Sequence, residues 1–538
     1  MIIFERSLIN KFVAMWLSQR GCSFSILVVQ AAVAFQLQIP SFSSRDLRLY
    51  SSLDALSTDF QTALKPCESD ISKVCKVQVG PSSSTGRLGL IATESIKKGD
   101  VMLAMPYNDK VELTADIARK TVFKGVLADS YDGWTGDTGL IALLILNEVA
   151  RAAETPGGID LPKRPDDIQS LIESWLKSMT TPKEMADLHP LSWSEQDQEV
   201  LQSSTTTKVY RLLDDLEEDA QWLTENVFST DREKFPEYVN WNGQTKFPCF
   251  SQEGYTWAMA LAKSRSVFVD ANLRLVPLMD MCNHDDEGEE VRGGNMGAFG
   301  AVRGAQLVAA KAYKAGEEVF CSYGPKSAAD YLLENGFCPP QCWKAAVSEL
   351  SFEVDQEDRF YDDKLDILEF ETYDQAPMDP LQSFDVISAP GRDGEPDPAM
   401  VQFVRLCKLG STDAFLLESI FRKEVWGFMA LPVSESNELA VINEVSESCQ
   451  RALDELTDCP KGGPEVCTKL RESETKALTR TLEYLQRERE ALDLKEYYQE
   501  RRLKDLGLDS EWSPEDDIMD PDIGFGQTRA PGGAEYDW

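Results

Sequence analysis

Between Leu275 and Glu290 the chain reads LVPLMDMCNHDDEGEE, and Cys282, His284, Asp285, Asp286 and Glu287 within it are residue types that can ligate a metal or move a proton. Only two histidines, His189 and His284, occur in 538 residues. As a metal site the run is poor. Ligands crowded along one loop fix no geometry, the other histidine precedes a proline in a helical region, and solvated acid runs are commoner than hard-ion cages. As a general base, His284 would need an orienting partner and a nucleophile, and the sequence places neither beside it. No metal site is predicted, and the Asn283-His284 pair needs another explanation.

Four stretches supply one when taken together: TGRLGL (85–90), KSRSVF (263–268), LVPLMDMCNHD (275–285) and VFCSYGPKSAADYLLENGF (319–337). In this order and spacing they resemble the SET-domain methyltransferases, and in particular the branch typified by Rubisco large-subunit lysine methyltransferase, with a long helical insert inside the SET domain. GxLGL and SYG carry little alone. An Asn-His pair after an apolar strand, followed roughly 40 residues later by YG-x-KS and GF, is specific as a set. Further on, FLLESIFRKEVWGFMALPVSESNE resembles the helical substrate-binding domain of the same branch, so the resemblance spans about Cys75 to Gly507.

The resemblance implies an S-adenosylmethionine cofactor. The Asn283 side chain and the His284 backbone would hold its amino-acid end, with Asp280 bracing the loop before them. Backbone groups of Gly86, Leu88 and Gly89 would contact it from the other side, and Phe337 would pack against the adenine. Tyr323 and the backbone carbonyl of Arg265 would form the catalytic pair. The implied reaction is an in-line attack of a neutral lysine amine on a methyl carried by a sulfonium. Lysine has an ordinary pKa of ~10.4, so it must first lose a proton. A narrow apolar channel beside a positive sulfur disfavours the ammonium by desolvation and like-charge repulsion, so no carboxylate base is essential. The site must supply alignment and oxygens for weak C–H···O contacts to the methyl group. Without the flanking motifs, Tyr323 reads as a core or turn tyrosine and Arg265 as a surface ion-pair partner. The chain departs from the pattern at Gly86-Arg87, where an acid or a glycine pair is frequent, and the acidic insert 285–294 is unusual.

Elements able to position these residues are legible around them. RLGLIAT and VMLAMP flank KKGD as one expected hairpin, and GAQLVAAKAYKAGEEVFCSYG repeats the design with Gly316 in its turn. Between them the periodicity predicts helices, including DTGLIALLILNEVARAAE with Asp137 as its cap and YTWAMALAKSRSVFV leading into the site. Residues 373–400 hold five prolines and read as a linker. Beyond it, leucines at 470, 478, 482, 485 and 492 mark an amphipathic helix of a bundle. The expected fold class is α+β: a β-rich SET domain at 75–345 with a helical insert at about 107–255, a connector at 346–400, an all-α substrate-binding-like domain at 401–507, and an acidic disordered tail at 508–538.

Composition narrows the function. With 91 acids against 54 bases the net charge is -37, so the chain repels phosphate backbones, and no nucleic acid is expected as partner. A protein substrate presenting a basic segment is. The twelve scattered cysteines form no CxxC and read as mostly reduced thiols, and the cysteine-rich zinc segment of histone-type enzymes is missing. At the N-terminus, basic residues precede a short apolar run, Ser23 to Phe35, below the ~18 residues of a membrane span. A Ser- and Arg-rich stretch follows. Residues 1–53 are read as a signal-plus-transit presequence for a plastid, with a secretory or cytoplasmic location as alternatives and no membrane attachment of the mature form. The leading function is a methyltransferase acting on a lysine of a non-histone protein. A protein-histidine methyltransferase and a catalytically weak SET-like binding module are the alternatives, with a metal-dependent hydrolase at His284 ranked last.

Overall fold

The computed structural model describes residues 44–125, 127, 135–154, 164–202, 207–296, 300–370, 378–458, 460 and 462–508. The acidic C-terminal stretch and most of the N-terminal stretch expected to be a presequence lie outside them.

Order begins earlier than Cys75. Helix α1 (Ser44–Ile71) starts within the stretch assigned to the presequence and buries Phe60, Leu64, Cys67 and Ile71. That spacing is one helical face. Ser57 Oγ donates to the Val79 carbonyl at 2.7 Å, tying the helix to the first long strand. Pro66 lies inside the helix, on its exposed side.

In chain order the elements around the site are β1 (Val77–Pro81), β2 (Leu88–Ala92), β3 (Val101–Pro106), α2 (Gly136–Ala152), α3 (Asp166–Lys177), α4 (Gln252–Arg265), β4 (Val267–Val269), β5 (Asn272–Leu275), β6 (Asn283–His284), β7 (Arg292–Met296), β8 (Val302–Val308), β9 (Glu318–Cys321) and α5 (Ala328–Asn335). The sheet order β6-β9-β2-β1 is antiparallel except for the parallel pair β6–β9, which sets Asn283 beside Phe320 and His284 beside Cys321. A second sheet joins Val74–Cys75, β3, β8 and β7.

The two expected hairpins do not close on themselves. β2 and β3 belong to different sheets, as do β8 and β9, and the two segments pair with each other: β2 with β9 and β3 with β8. Ile96 and Tyr313 exchange backbone hydrogen bonds of 2.9 Å where the segments cross. Gly99 and Gly316 take the turns with φ of 84° and 87°, which explains why the turn signals were correct. A turn signal marks a change of direction and does not choose the strand partner.

The insert is helical, as expected. α2 is buried on nearly every side, and α4 is N-capped by Ser251, whose Oγ accepts from the Gly254 N–H at 3.1 Å. Asp137 does not cap α2. Thr135 holds the N-cap position, with its hydroxyl turned to Asp219, and Asp137 pairs with Arg119 at 3.1 Å.

Residues 346–400 are not a simple linker. β10 (Ala346–Glu353) and β11 (Leu381–Ala389) pair antiparallel from Ala346–Ser388 to Glu353–Leu381, with a helix, Tyr361–Phe370, between them. Pro380 and Pro390 bound β11, and its apolar residues, which do not alternate strictly, hid the strand. The pair shares a core with α6 (Pro398–Cys407), α7 (Glu435–Asp458) and α8 (Glu465–Glu490) through Phe352, Val386, Phe403, Val445 and Leu478. A smaller cluster, with Trp193, Tyr331 and Leu332 against Cys467 and Leu470 of α8, joins these helices to α5. Among the described residues no helix is long and apolar enough to cross a membrane, and all ten described cysteines are free.

Candidate active site

The site forms where α4 ends. Ser266 is its C-cap, and the chain turns into the β4–β5 hairpin before re-entering the core. Leu278 is fully buried at φ 77°, a conformation costly for leucine, and it sends the chain into the short turn Met279–Met281.

Asp280 in that turn has a wholly buried side chain. Trp175 Nε1 donates to both of its oxygens at 3.1 Å, and Arg265 Nη1 donates to Oδ2 at 2.9 Å. Burial pushes the carboxyl up, and Arg265 opposes it. Asp280 therefore anchors α3 and the end of α4 to the loop before Asn283.

Asn283 Nδ2 donates to Glu318 Oε1 at 2.8 Å and to the Leu88 carbonyl at 3.3 Å. A Cβ on Gly89 would lie 2.7 Å from that Nδ2 and 2.6 Å from Glu318 Oε1, so a side chain there would push the Asn283–Glu318 pair aside. Gly86, at φ 67°, turns the loop that brings Leu88 and Gly89 to Asn283. Glu318 was not anticipated. It also accepts from Ser82 Oγ at 2.9 Å, and only the register of β9 against β2, invisible in sequence, aims it at Asn283. Arg87, the departure in this loop, donates from Nη1 to Thr180 Oγ1 at 2.8 Å and forms no ion pair among the described residues.

His284 is neither a free base nor a metal ligand in this arrangement. Its Nδ1 accepts the Tyr323 N–H at 3.2 Å, so in the neutral ring Nε2 carries the hydrogen and donates to Asp286 Oδ1 at 3.1 Å. The neighbouring acids are dispersed: Asp285 pairs with Lys311 at 3.2 Å. The ring fixes the loop that bears Tyr323. Tyr323 Oη donates to the Cys282 carbonyl at 2.9 Å, and desolvation holds the phenol well above its ordinary pKa, so it stays a neutral donor. His284, Tyr323, Tyr331 and Phe337 form one ring cluster with centroids 5.1 to 6.2 Å apart. Phe337 is 39% exposed despite this packing.

A cavity of about 380 Å³ opens beside Tyr323, lined by Arg265, Ser266, Val267, Asp280 and Cys282. The last residues of α4 line it, and Lys263, Arg265 and Lys326 bring three cationic side chains to its walls, which disfavours a further cation there. A second cleft of about 650 Å³, rimmed by Asp286, Glu289 and Glu290, shares Glu290, Ser322 and Lys326 with the first. Arg265, Asp280 and Tyr323 line the cavity, Leu88 and Gly89 lie beside Asn283, and Phe337 packs near His284 and Tyr323.

Two sheets linked by a strand crossover, a helical insert and a tyrosine beside an Asn-His strand define a SET domain. The SET-domain profile matches residues 87–324, and the Rubisco LSMT substrate-binding profile matches 355–459. The chain belongs to the SET-domain family in the branch of the Rubisco large-subunit methyltransferases. It is 31% identical over 471 residues to the chloroplastic ribulose-1,5 bisphosphate carboxylase/oxygenase large subunit N-methyltransferase of Nicotiana tabacum, covering 82% of this chain and 85% of that one. It is 37% identical over 279 residues to the chloroplastic [fructose-bisphosphate aldolase]-lysine N-methyltransferase of Arabidopsis thaliana, covering 48% and 55%. The crystal structure of the SET domain of LSMT bound to lysine and AdoHcy superposes with a TM-score of 0.65 at 25% identity, over 85% of this chain and 97% of that one.

Proposed function

We propose that this protein is an S-adenosylmethionine-dependent protein-lysine N-methyltransferase acting on a non-histone protein. The observation that carries the reading is the neutral Tyr323 hydroxyl, bonded to the Cys282 carbonyl at 2.9 Å, on the wall of a cavity into which the C-terminal end of α4 opens. The residues fit the cofactor. Asn283 presents a side-chain amide beside the Gly86–Gly89 loop, Arg87 is a guanidinium in no ion pair among the described residues, and Phe337 offers a half-exposed ring face to a flat base. Asn283, the Gly86–Gly89 loop and Phe337 would hold it. When bound, the cofactor supplies an activated methyl group on a positive sulfur.

The protein's own groups then do three things. The cavity walls desolvate the target nitrogen and favour its neutral form. The His284–Tyr323 bond and the Asp280–Arg265 pair fix the two sides of the cavity, so the nitrogen is held in line. The Tyr323 oxygen and the carbonyls at the end of α4 would offer weak C–H···O contacts to a polarised methyl group. Aliphatic Val267 on the cavity edge suits a lysine stem better than an imidazole ring.

The net charge of -37 supports a substrate lysine set in a basic segment. The chloroplastic names of the relatives support a plastid location, with the N-terminal residues as its presequence. Incubating the full chain with tritiated S-adenosylmethionine and a plastid lysate tests the function. Label in discrete proteins, recovered as methyl-lysine after hydrolysis, supports it. Absence of transfer, or label recovered as methyl-histidine, overturns it.

A further inference from the structure

Phe268 is 72% exposed, the most exposed aromatic side chain among the described residues, yet it belongs to the wall of the cavity beside Tyr323. A residue that lines a cavity and also meets solvent stands at its mouth. Single apolar residues are ordinary on protein surfaces, so exposure by itself assigns nothing. Phe268 does not stand alone, however. The β4–β5 ladder sets it directly opposite Leu273, which is half-buried and lines the same cavity. Cross-strand partners share one face of a ladder, so the two side chains form a single apolar strip at the mouth.

The strip is held rigidly. Asp270 and Ala271 turn the hairpin with φ of 53° and 58°, a region that alanine rarely enters. The turn is clamped from outside: Arg303 donates to the Asp270 carboxylate from Nη2 at 2.6 Å and from Nε at 2.7 Å, and Tyr107 Oη donates to it at 2.6 Å. At the other end of the hairpin, the Arg274 guanidinium lies 3.8 Å from the centre of the Tyr107 ring, and its Nη1 donates to Glu112 Oε2 at 2.9 Å. An aromatic fixed in advance loses little entropy when a partner covers it. A target lysine within a polypeptide can enter the cavity only if its backbone lies across the mouth. In an extended segment side chains alternate, so the residues two before and two after the lysine face the same surface as the lysine itself.

We propose that Phe268 is a specificity residue for the protein substrate, forming with Leu273 an apolar subsite at the cavity mouth for a large apolar side chain two positions from the target lysine. This rests on the methyltransferase reading above. The subsite acts on the binding of the acceptor and not on the transfer of the methyl group, so it is expressed in KM more than in kcat.

The test uses the full chain, S-adenosylmethionine and two end-blocked peptides, Gly-Gly-Gly-Lys-Gly-Gly-Gly and Gly-Leu-Gly-Lys-Gly-Leu-Gly. Wild type is expected to favour the leucine peptide about tenfold in kcat/KM, mostly through KM, as for one apolar side chain removed from water. Phe268→Ala is expected to bring the two peptides to within about twofold of each other, and Phe268→Leu, which keeps a large apolar group, to retain most of the preference. Cofactor affinity of Phe268→Ala, read by calorimetry, should match wild type, which also shows that the variant is folded. A wild type that does not distinguish the peptides, or that labels lysate proteins but neither peptide, overturns the subsite while leaving the enzyme reading intact. So does a preference that survives in Phe268→Ala. Wild-type protein that methylates neither peptide and no lysate protein overturns both.

Discussion

The hydroxyl of Tyr323 donates to the main-chain carbonyl of Cys282 at 2.9 Å, directly before the strand that carries Asn283 and His284. The Tyr323 N–H reaches back to His284 Nδ1 at 3.2 Å, so two bonds lock the tyrosine to one short segment. Removing the hydroxyl leaves the ring and its packing in place and deletes one oxygen and one bond. Tyr323→Phe is therefore expected to bind cofactor normally and to lose about 10- to 100-fold in kcat, or roughly 1.4–2.7 kcal/mol of barrier. Methyl transfer measured under saturating cofactor decides it, and equal rates for the two proteins would exclude Tyr323 from the chemistry.

Cofactor affinity should depend on the opposite side of the same loop. Phe337 keeps 39% of its surface exposed although it belongs to the ring cluster, which leaves a face for stacking. Phe337→Ala is expected to weaken S-adenosylmethionine binding about tenfold, in the range of one lost aromatic contact. Asn283→Ala also frees Glu318, whose Oε1 it contacts at 2.8 Å, and should weaken binding more. Isothermal titration with the cofactor alone reads both effects without any acceptor. An unchanged Kd in both variants would place the cofactor elsewhere.

Much of this site was legible because its residues cluster in short motifs whose local geometry is demanding. Gly86, left-handed at φ 67°, turns the loop that faces Asn283, and Gly336, left-handed at φ 75°, ends α5 just before Phe337. What the sequence hid is pairing at a distance. Glu318 reaches Asn283, and Trp175 reaches Asp280 from 105 positions away, through registers that no local pattern encodes. The two turn segments were recognised but given the wrong partners, since each pairs with the other. β11 was hidden because its side chains are mostly half-buried and carry no clean alternation. α1 was hidden because composition was weighed above the spacing of Phe60, Leu64, Cys67 and Ile71.

The buried pair Asp280–Arg265 should matter to stability before it matters to rate. Asp280 is enclosed and also satisfies Trp175, so Asp280→Ala strands a guanidinium and an indole N–H at the centre of the site. Breaking a buried pair from one side costs about 3 kcal/mol or more. Asp280→Asn keeps an acceptor for both donors and should lose less. Urea unfolding followed by tryptophan fluorescence should show the lower midpoint for the alanine variant, and equal midpoints for both variants would mean that Arg265 finds another partner.

The last prediction concerns pH. His189 is 1% exposed and packs beneath Gly336, at the hinge between α5 and Phe337. Burial, aided by the charge of Lys263, lowers its pKa to about 4. An unfolded histidine titrates near ~6.5. Between these values the unfolded chain binds the proton and the folded chain does not, so stability from this group is intact above about pH 6.5 and is lost as pH falls toward 4. The full loss is about 3 kcal/mol for a shift of this size. His189→Gln retains a polar side chain next to the Leu191 N–H, which bonds Nδ1 at 3.4 Å, but cannot take up the proton. The variant should be less stable than wild type at pH 7.5 and should lose less stability between pH 6.5 and 4.5. Urea midpoints taken in half-unit steps across that window give the comparison, and parallel curves for the two proteins would show that His189 does not drive the acid response.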